Sequence, residues 1–179
     1  MKKTVLTFGL ISGAVISLML LLTMQFHDAI GFETGGLILG YTTMVLAFLL
    51  IYFGVRSFRD NVAGGRVSFG RAFVVGALIG LVSSLCYVAT WEVMYFKFMP
   101  DFMDKYSAHE IDKARAAGAS EATIAARSEE MAKFNEQYKN PALNAAVTLV
   151  EPLPVALLVA LVSAAVLSRR RRPAGEAGA

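Results

Sequence analysis

The sequence predicts an all-α integral membrane protein: a bundle of four transmembrane helices with a helical hairpin inserted between the third and fourth. First, 56% of the 179 residues are hydrophobic and the charges are crowded into a few segments, which is typical of a small multi-span membrane protein. Second, four apolar stretches each exceed the roughly 17 to 20 residues needed to cross the hydrocarbon core. Each is predicted to be a helix, because lipid offers backbone groups no hydrogen-bond partner.

The predicted spans belong to one membrane domain, residues 1–172, and the small polar segment 173–179 is expected to be a disordered tail. The first span resembles a secretory signal, but its apolar run is too long and no small-residue cleavage site follows it. We therefore expect an uncleaved helix. The spans cover approximately Thr4–Met24, Leu37–Val55, Ala72–Phe98 and Leu143–Leu167.

Basic residues predict the orientation of the spans. The N-terminus, the segment Arg56–Arg71 and the run Arg169–Arg172 carry two, four and four Lys or Arg residues, whereas Gln25–Gly35 carries none. The positive-inside rule then places both termini in the cytoplasm and residues 101–140 on the periplasmic or extracellular side. Because these charges flank apolar stretches, the net charge of +3 indicates a lipid bilayer as partner and not nucleic acid.

The long connection, residues 101–140, is predicted to form two short helices. Gly118 is expected to end the first helix and Ser120 to cap the second, while Asn140 and Pro141 begin the fourth span. A thin apolar seam is expected between the two helices. It would pair Phe102, Tyr106, Ile111 and Ala114 with Ile124, Met131, Phe134 and Tyr138.

Small residues recur at four-residue spacing in the first and third spans, which places each set on one helical face. Because small residues let helix backbones approach closely in lipid, we expect the two faces to pack against each other. The alternative is that glycine is simply common in membrane helices. The two sets are Gly9, Gly13 and Ser17, and Gly76, Gly80 and Ser84.

Two carboxylates lie within the predicted spans. Glu92 is roughly 30 Å and Glu151 roughly 25 Å from the cytoplasmic ends of their helices, at the 1.5 Å rise of an α-helix. In one interpretation they line an outward-facing polar vestibule that binds a proton, a cation or a polar solute. Aromatic residues would complete that vestibule, namely Tyr87, Trp91 and Tyr95.

In the other interpretation the same carboxylates have structural roles. Glu92 would lie among wet headgroups, and Glu151 would bond backbone freed by Pro152 and Pro154, which are expected to kink the fourth span. Beyond the kink, alanines form another small-residue face in the inner half of the span. They are Ala156, Ala160 and Ala164.

No pattern in the chain indicates catalysis, a cofactor or a metal. The lone Cys86 excludes an intrachain disulfide. His27, Asp28 and Glu33 could begin a metal site, but a divalent ion needs three or four convergent ligands and no second histidine is local, so a solvated loop is expected. We therefore expect that the protein is not an enzyme and holds no cofactor.

Three segments together resemble a family of bacterial membrane proteins known as domain of unknown function 4199. They read SFGRAFVVGALIGLVSSLCYVATWEVMY, FMPDFMDKY and EPLPVALLVALVSAAVLSRRRR. The resemblance implies a four-helix bacterial inner-membrane protein with a helical insert between its last two spans. It implies no activity, substrate or cofactor, so it assigns no functional residue.

The sequence favours a non-catalytic membrane protein that acts by assembling with itself or with a membrane partner, as its small-residue faces and predicted hairpin indicate. The alternative is a small transporter, or a solute- or proton-binding bundle, that uses Glu92 and Glu151. A membrane enzyme is the third hypothesis. It is the least supported because no nucleophile, base and oxyanion donor can be assembled from the residues.

Overall fold

The structure of the chain is a computed structural model that describes residues 1–25 and 34–168, with the backbone alone for residues 34–37. The predictions for the first connection and for the C-terminal tail therefore lie outside the described residues. They concern His27, Asp28, Glu33, the arginine run 169–172 and the segment 173–179.

In the described part of the chain, all regular secondary structure is helical and there is no strand. In chain order the helices are α1 (Lys2–Gln25), α2 (Thr34–Asn61), α3 (Phe69–Val93), a π-helical turn (Met94–Phe98), α4 (Phe102–Ala116), α5 (Glu121–Tyr138), α6 (Pro141–Val150) and α7 (Pro152–Leu167).

Four helical segments are long and apolar enough to cross a membrane, which confirms the predicted class. They are Lys2–Gln25, Ile38–Asn61, Phe69–Phe98 and Pro141–Leu167. The second segment continues six residues beyond the predicted end at Val55. Arg56 and Arg59 do not end it, because arginine is a good helix former whose long side chain can extend from an apolar helix towards water.

Helix α3 lies between α1 and α7 and uses a different face for each. Towards α1, a methyl group placed on Gly9 or on Gly13 would come within 2.7 Å of the side chains of Val82 or Cys86. Glycine is therefore what allows the backbone of α1 to approach α3 this closely.

Towards α7, the close residues on α3 are glycines. A methyl group on Gly76 would lie 3.0 Å from Cβ of Ala160, and one on Gly80 would lie 2.8 Å from Cβ of Ala156. The first and third spans therefore pack against each other through Gly9 and Gly13 as predicted, but Gly76 and Gly80 face α7, so the predicted pairing of the two small-residue sets is wrong. The physical reason is rotational: Gly80 and Val82 are two positions apart, or about 200° around a helix.

The apolar core lies where α2, α3 and α7 meet. Phe48 and Ile51 of α2 and Val75 and Ile79 of α3 are fully buried, with Ala160 of α7 beside them. These side chains fill the space between the three helices with apolar contacts.

Helices α4 and α5 lie against each other, and the amide of Asn135 donates to Ser107 Oγ at 3.1 Å. The roles predicted for Gly118 at the end of α4 and for Ser120 at the start of α5 are confirmed. Gly118 has a φ of +79°, which favours glycine, and the side chain of Ser120 accepts from the Thr123 amide. At the next boundary the side chain of Asn140 accepts from the first amides of α6.

The predicted seam between α4 and α5 is only partly correct. Ala114 and Ile124 are buried as expected. Tyr138 is buried too, but in a cluster with Trp91, Tyr95 and Met103. Phe102 instead packs edge-on against Trp91 of α3, with ring centroids 5.0 Å apart. One face of α4 is therefore shared between α5 and the end of α3.

The glycine contacts predict a difference between two alanine substitutions. Gly80→Ala should lower the free energy of unfolding by about 1 to 3 kcal/mol, because the added methyl overpacks against Ala156. Gly40→Ala is the matched control, since nothing lies within 4 Å of its added methyl. Unfolding in mixed detergent measures the stability of both variants. Equal stability of the two would contradict the close contact between Gly80 and Ala156.

Candidate functional site

A buried hydrogen-bond chain joins α3, α5 and α6. The indole Nε1 of Trp91 donates to the hydroxyl of Tyr138 at 3.0 Å, and that hydroxyl lies 3.1 Å from Thr148 Oγ1. Thr148 in turn donates to Asn144 Oδ1 at 3.3 Å. One assignment of donors and acceptors gives every group a hydrogen-bond partner: Trp91 donates to Tyr138, Tyr138 donates to Thr148, and Thr148 donates to Asn144.

Asn144 connects this series of hydrogen bonds back to α5. Its side chain is fully buried, and its Nδ2 donates to the backbone carbonyl of Tyr138 at 3.3 Å. A buried polar network in which each member is bonded fixes the relative positions of the helices that supply it. The network therefore holds the end of α5 against both α3 and α6.

Tyr138 is the residue at which these contacts converge. Its ring packs edge-on against Tyr95 at 5.2 Å and beside Phe134 at 5.4 Å. Burial raises the pKa of Tyr138; hydrogen bonds with Thr148 and Trp91 oppose that shift, and the nearby carboxylates reinforce it. Its hydroxyl therefore remains protonated and able to donate at neutral pH.

Glu151 lies at a break in the fourth membrane segment, between α6 and α7. Pro152 has no backbone N–H, so helical hydrogen bonding is interrupted beside Glu151, while the predicted kink stays a prediction. The hydroxyl of the buried Tyr87 donates to Glu151 Oε2 at 3.0 Å. Glu151 itself is exposed on the surface of the chain.

Glu92 does not join Glu151 in this arrangement. It follows Tyr87 by five positions, or about 140° around α3, and lies on the same helical face as the exposed Leu85 and Phe96. Its Oε1 is buried and accepts no hydrogen bond from any residue that the structure describes.

The predicted vestibule residues therefore fall into separate groups. Tyr87 bonds Glu151, whereas Trp91 and Tyr95 belong to the buried aromatic cluster around Tyr138. Glu92 forms no hydrogen bond with either group among the described residues, although its carboxylate is near enough to Tyr138 to help raise the pKa of that residue. Ligand binding by any of these residues stays a prediction.

The polar residues of the described spans bond mainly to other helices and to backbone groups. Within it, no three His, Cys, Asp or Glu side chains are placed to hold a metal ion. Cys86 packs against Gly13, and its backbone carbonyl accepts from Ser17 at 3.3 Å and Thr90 at 2.9 Å. The polar groups of the spans thus serve mainly to bond helices together.

Tyr138 and Asn144 were not identified from the sequence as site residues. Asn144 could have been identified from the sequence, because a side-chain amide within an apolar span must find a hydrogen-bond partner inside the protein. Tyr138 was assigned only to the apolar seam, since its position in a polar connection gives no indication that its hydroxyl is buried.

Four helical segments of spanning length, joined through interior hydrogen bonds, define a multi-pass membrane protein. The family model described as Protein of unknown function (DUF4199) matches residues 7–169. The chain belongs to that family, and the resemblance noted in the sequence is confirmed. No curated protein and no solved structure matches the chain.

The hydrogen-bond chain predicts the effect of removing one hydroxyl. Tyr138→Phe leaves Trp91 Nε1 without its acceptor and should cost about 1 to 3 kcal/mol of unfolding free energy. Trp91 is the single tryptophan, so its fluorescence spectrum should shift in the folded variant. Tyr52→Phe is the control; an unchanged spectrum and stability in Tyr138→Phe would contradict the network.

Proposed function

We propose that the protein is a non-catalytic bacterial inner-membrane protein that acts by assembling with a second copy of itself or with another membrane protein. The observation that carries this proposal is the exposure of Glu151 on the surface of an otherwise apolar membrane segment. A carboxylate that faces hydrocarbon is unfavourable by several kcal/mol, and membrane carboxylates ordinarily face protein or water.

The hydrogen bond from Tyr87 satisfies only part of this carboxylate. An ionised carboxylate has about four acceptor positions, and Tyr87 fills one of them, on Oε2. A neighbouring membrane protein that supplies donors would satisfy the rest and would exclude lipid. Glu151 is therefore the centre of the proposed contact surface.

The small-residue faces do not provide that surface, although the sequence had indicated them. Gly9 and Gly13 are occupied by α3, and Gly76 and Gly80 by α7. The residues still exposed beside Glu151 are larger, and include Val150, with 66% of its surface exposed. Association would therefore depend on apolar packing around one polar group.

The proposed topology is a four-helix bundle with both termini in the cytoplasm and α4 and α5 forming a hairpin on the opposite side. Glu151 precedes Leu167 by sixteen residues, or about 24 Å of helix, so it would lie in the outer part of the bilayer. The four arginines between residues 56 and 71 favour a cytoplasmic position for the α2–α3 connection.

Reporter fusions test the topology. Alkaline phosphatase, which is active only outside the cytoplasm, should be active when inserted at Gly118 and inactive when inserted at Gly64. Both sites are glycines with positive φ in connections between helices, so they are matched in local structure. Activity at Gly64 with none at Gly118 would contradict the proposed orientation.

Site-specific photo-crosslinking in native membranes tests the assembly. A benzophenone amino acid at Val150 should form an adduct with a second copy or with one defined membrane protein. Leu46 on α2 is the matched control, because 60% of its surface is exposed compared with 66% for Val150. Lipid alone as the product at Val150, or equal protein adducts at both positions, would contradict the proposal.

A second candidate function is a solute- or proton-binding bundle. The observation that favours it is Glu92, whose buried Oε1 lacks a hydrogen-bond donor and would be satisfied by a proton or a bound cation. Because the core of one chain is filled, a transport pathway would need several copies. Proteoliposome flux that is equal in wild type, Glu92→Gln and Glu151→Gln would argue against this function.

A further inference from the structure

We infer that the pocket beside the ends of the first and third spans binds one phospholipid with a zwitterionic headgroup of the ethanolamine type. The pocket has a volume of about 480 Å³ and lies where the end of α1, the π-helical turn and the start of α4 meet. It shares no lining residue with the contact between Tyr87 and Glu151, so lipid binding and the proposed assembly can each fail without the other.

The pocket lies at the boundary between lipid and water. Two apolar segments end beside it, the first at Gln25 and the third at Phe98. These two spans run in the same direction, because a single span separates them in the chain. The edge of the hydrocarbon core therefore crosses both ends, and acyl chains meet headgroups at this level.

Most of the lining is apolar. Pockets of roughly 300 to 1,000 Å³ with mainly apolar walls and a few polar groups are typical of ligand sites. Phe98 is the most open part of the wall, with 68% of its surface exposed, and an apolar surface of this kind is satisfied by contact with an acyl chain. The apolar lining residues are Leu21, Met24, Met94, Phe98 and Met99.

The polar lining includes one charge of each sign. Asp101 and Lys105 follow the end of the third span and form an ion pair at 2.8 Å. The hydrogen bond from Lys105 lowers the pKa of Asp101, so this carboxylate is ionised at neutral pH. Both side chains are more than half exposed, so their ion pair is weak and can exchange for contacts with a ligand.

These two charges select the headgroup. A phosphate accepts hydrogen bonds from the ammonium of Lys105, and an ethanolamine ammonium donates to the carboxylate of Asp101. A choline group carries the same positive charge but has no N–H to donate. A phosphoglycerol headgroup has no positive charge and would be repelled by Asp101. An ethanolamine headgroup therefore complements both side chains.

Native mass spectrometry of the full chain in detergent measures binding of the first lipid. Among lipids with identical acyl chains, phosphatidylethanolamine should bind about two- to fivefold more tightly than phosphatidylcholine or phosphatidylglycerol, as expected for exposed charge contacts. Asp101→Ala should remove this preference, and its side chain makes no helix-capping hydrogen bond that the change would lose. Glu129→Ala is the matched control, because Glu129 pairs with Lys133 four residues later at 2.7 Å and does not line the pocket.

Methionine resonances locate the lipid without any substitution. With ¹³C-methyl-labelled methionine, phosphatidylethanolamine should shift Met24, Met94 and Met99 more than phosphatidylcholine does. Met44, in the apolar core, and Met131, in α5, should respond equally to the two lipids.

Several results would overturn the site. Equal affinity for the three lipids is one, and a preference that survives in folded Asp101→Ala is another. Shifts at Met131 as large as those at Met94 would show general lipid contact. Phosphoethanolamine without acyl chains that binds as tightly as the intact lipid would remove the role of the apolar wall. A second copy of the chain that covers the pocket and excludes lipid would equally contradict the proposal.

Discussion

Close contact of α3 with α1 on one side and α7 on the other is the constraint on which the other contacts depend. Lipid is as apolar as leucine, so the hydrophobic effect does not drive these helices together as it would in water. Their association depends instead on close packing, which glycine allows on α1 towards Val82 and Cys86, and on α3 towards Ala156 and Ala160 of α7. A side chain at either glycine face would separate the backbones and weaken every contact beyond them.

Hydrogen bonds then complete each interface. Ser83 donates to Ser12 at 3.0 Å, and Ser12 donates to the carbonyl of Ala47 at 2.9 Å, so one short chain joins α1, α2 and α3. At the far end of α3, the chain from Trp91 to Asn144 does the same for α5 and α6. Many polar residues inside the spans thus act as structural links, and Glu151 differs from those in the two chains because it is also exposed.

Element type and approximate extent were predictable, because spanning length, helix caps and proline each act locally. Ser120 and Asn140 mark helix starts because their side chains accept from nearby backbone amides, and Pro152 marks one because it has no backbone N–H. Rotation of the helices was not predictable. The glycine sets at Gly9 and Gly76 have the same spacing, and nothing in that spacing states which neighbour each set meets. Burial of Tyr138 was missed for the related reason that it depends on how three separate helices dock.

Disulfide formation between engineered cysteines tests the position of α3 most directly. In a Cys86→Ala background, the pair Ser12→Cys and Ser83→Cys should crosslink efficiently, because the hydroxyls they replace are 3.0 Å apart. The pair Gly13→Cys and Gly80→Cys should not crosslink, because Gly13 of α1 contacts α3 at Cys86 whereas Gly80 lies on the other face of α3, against Ala156. Crosslinking of the second pair with none in the first would contradict the helix arrangement.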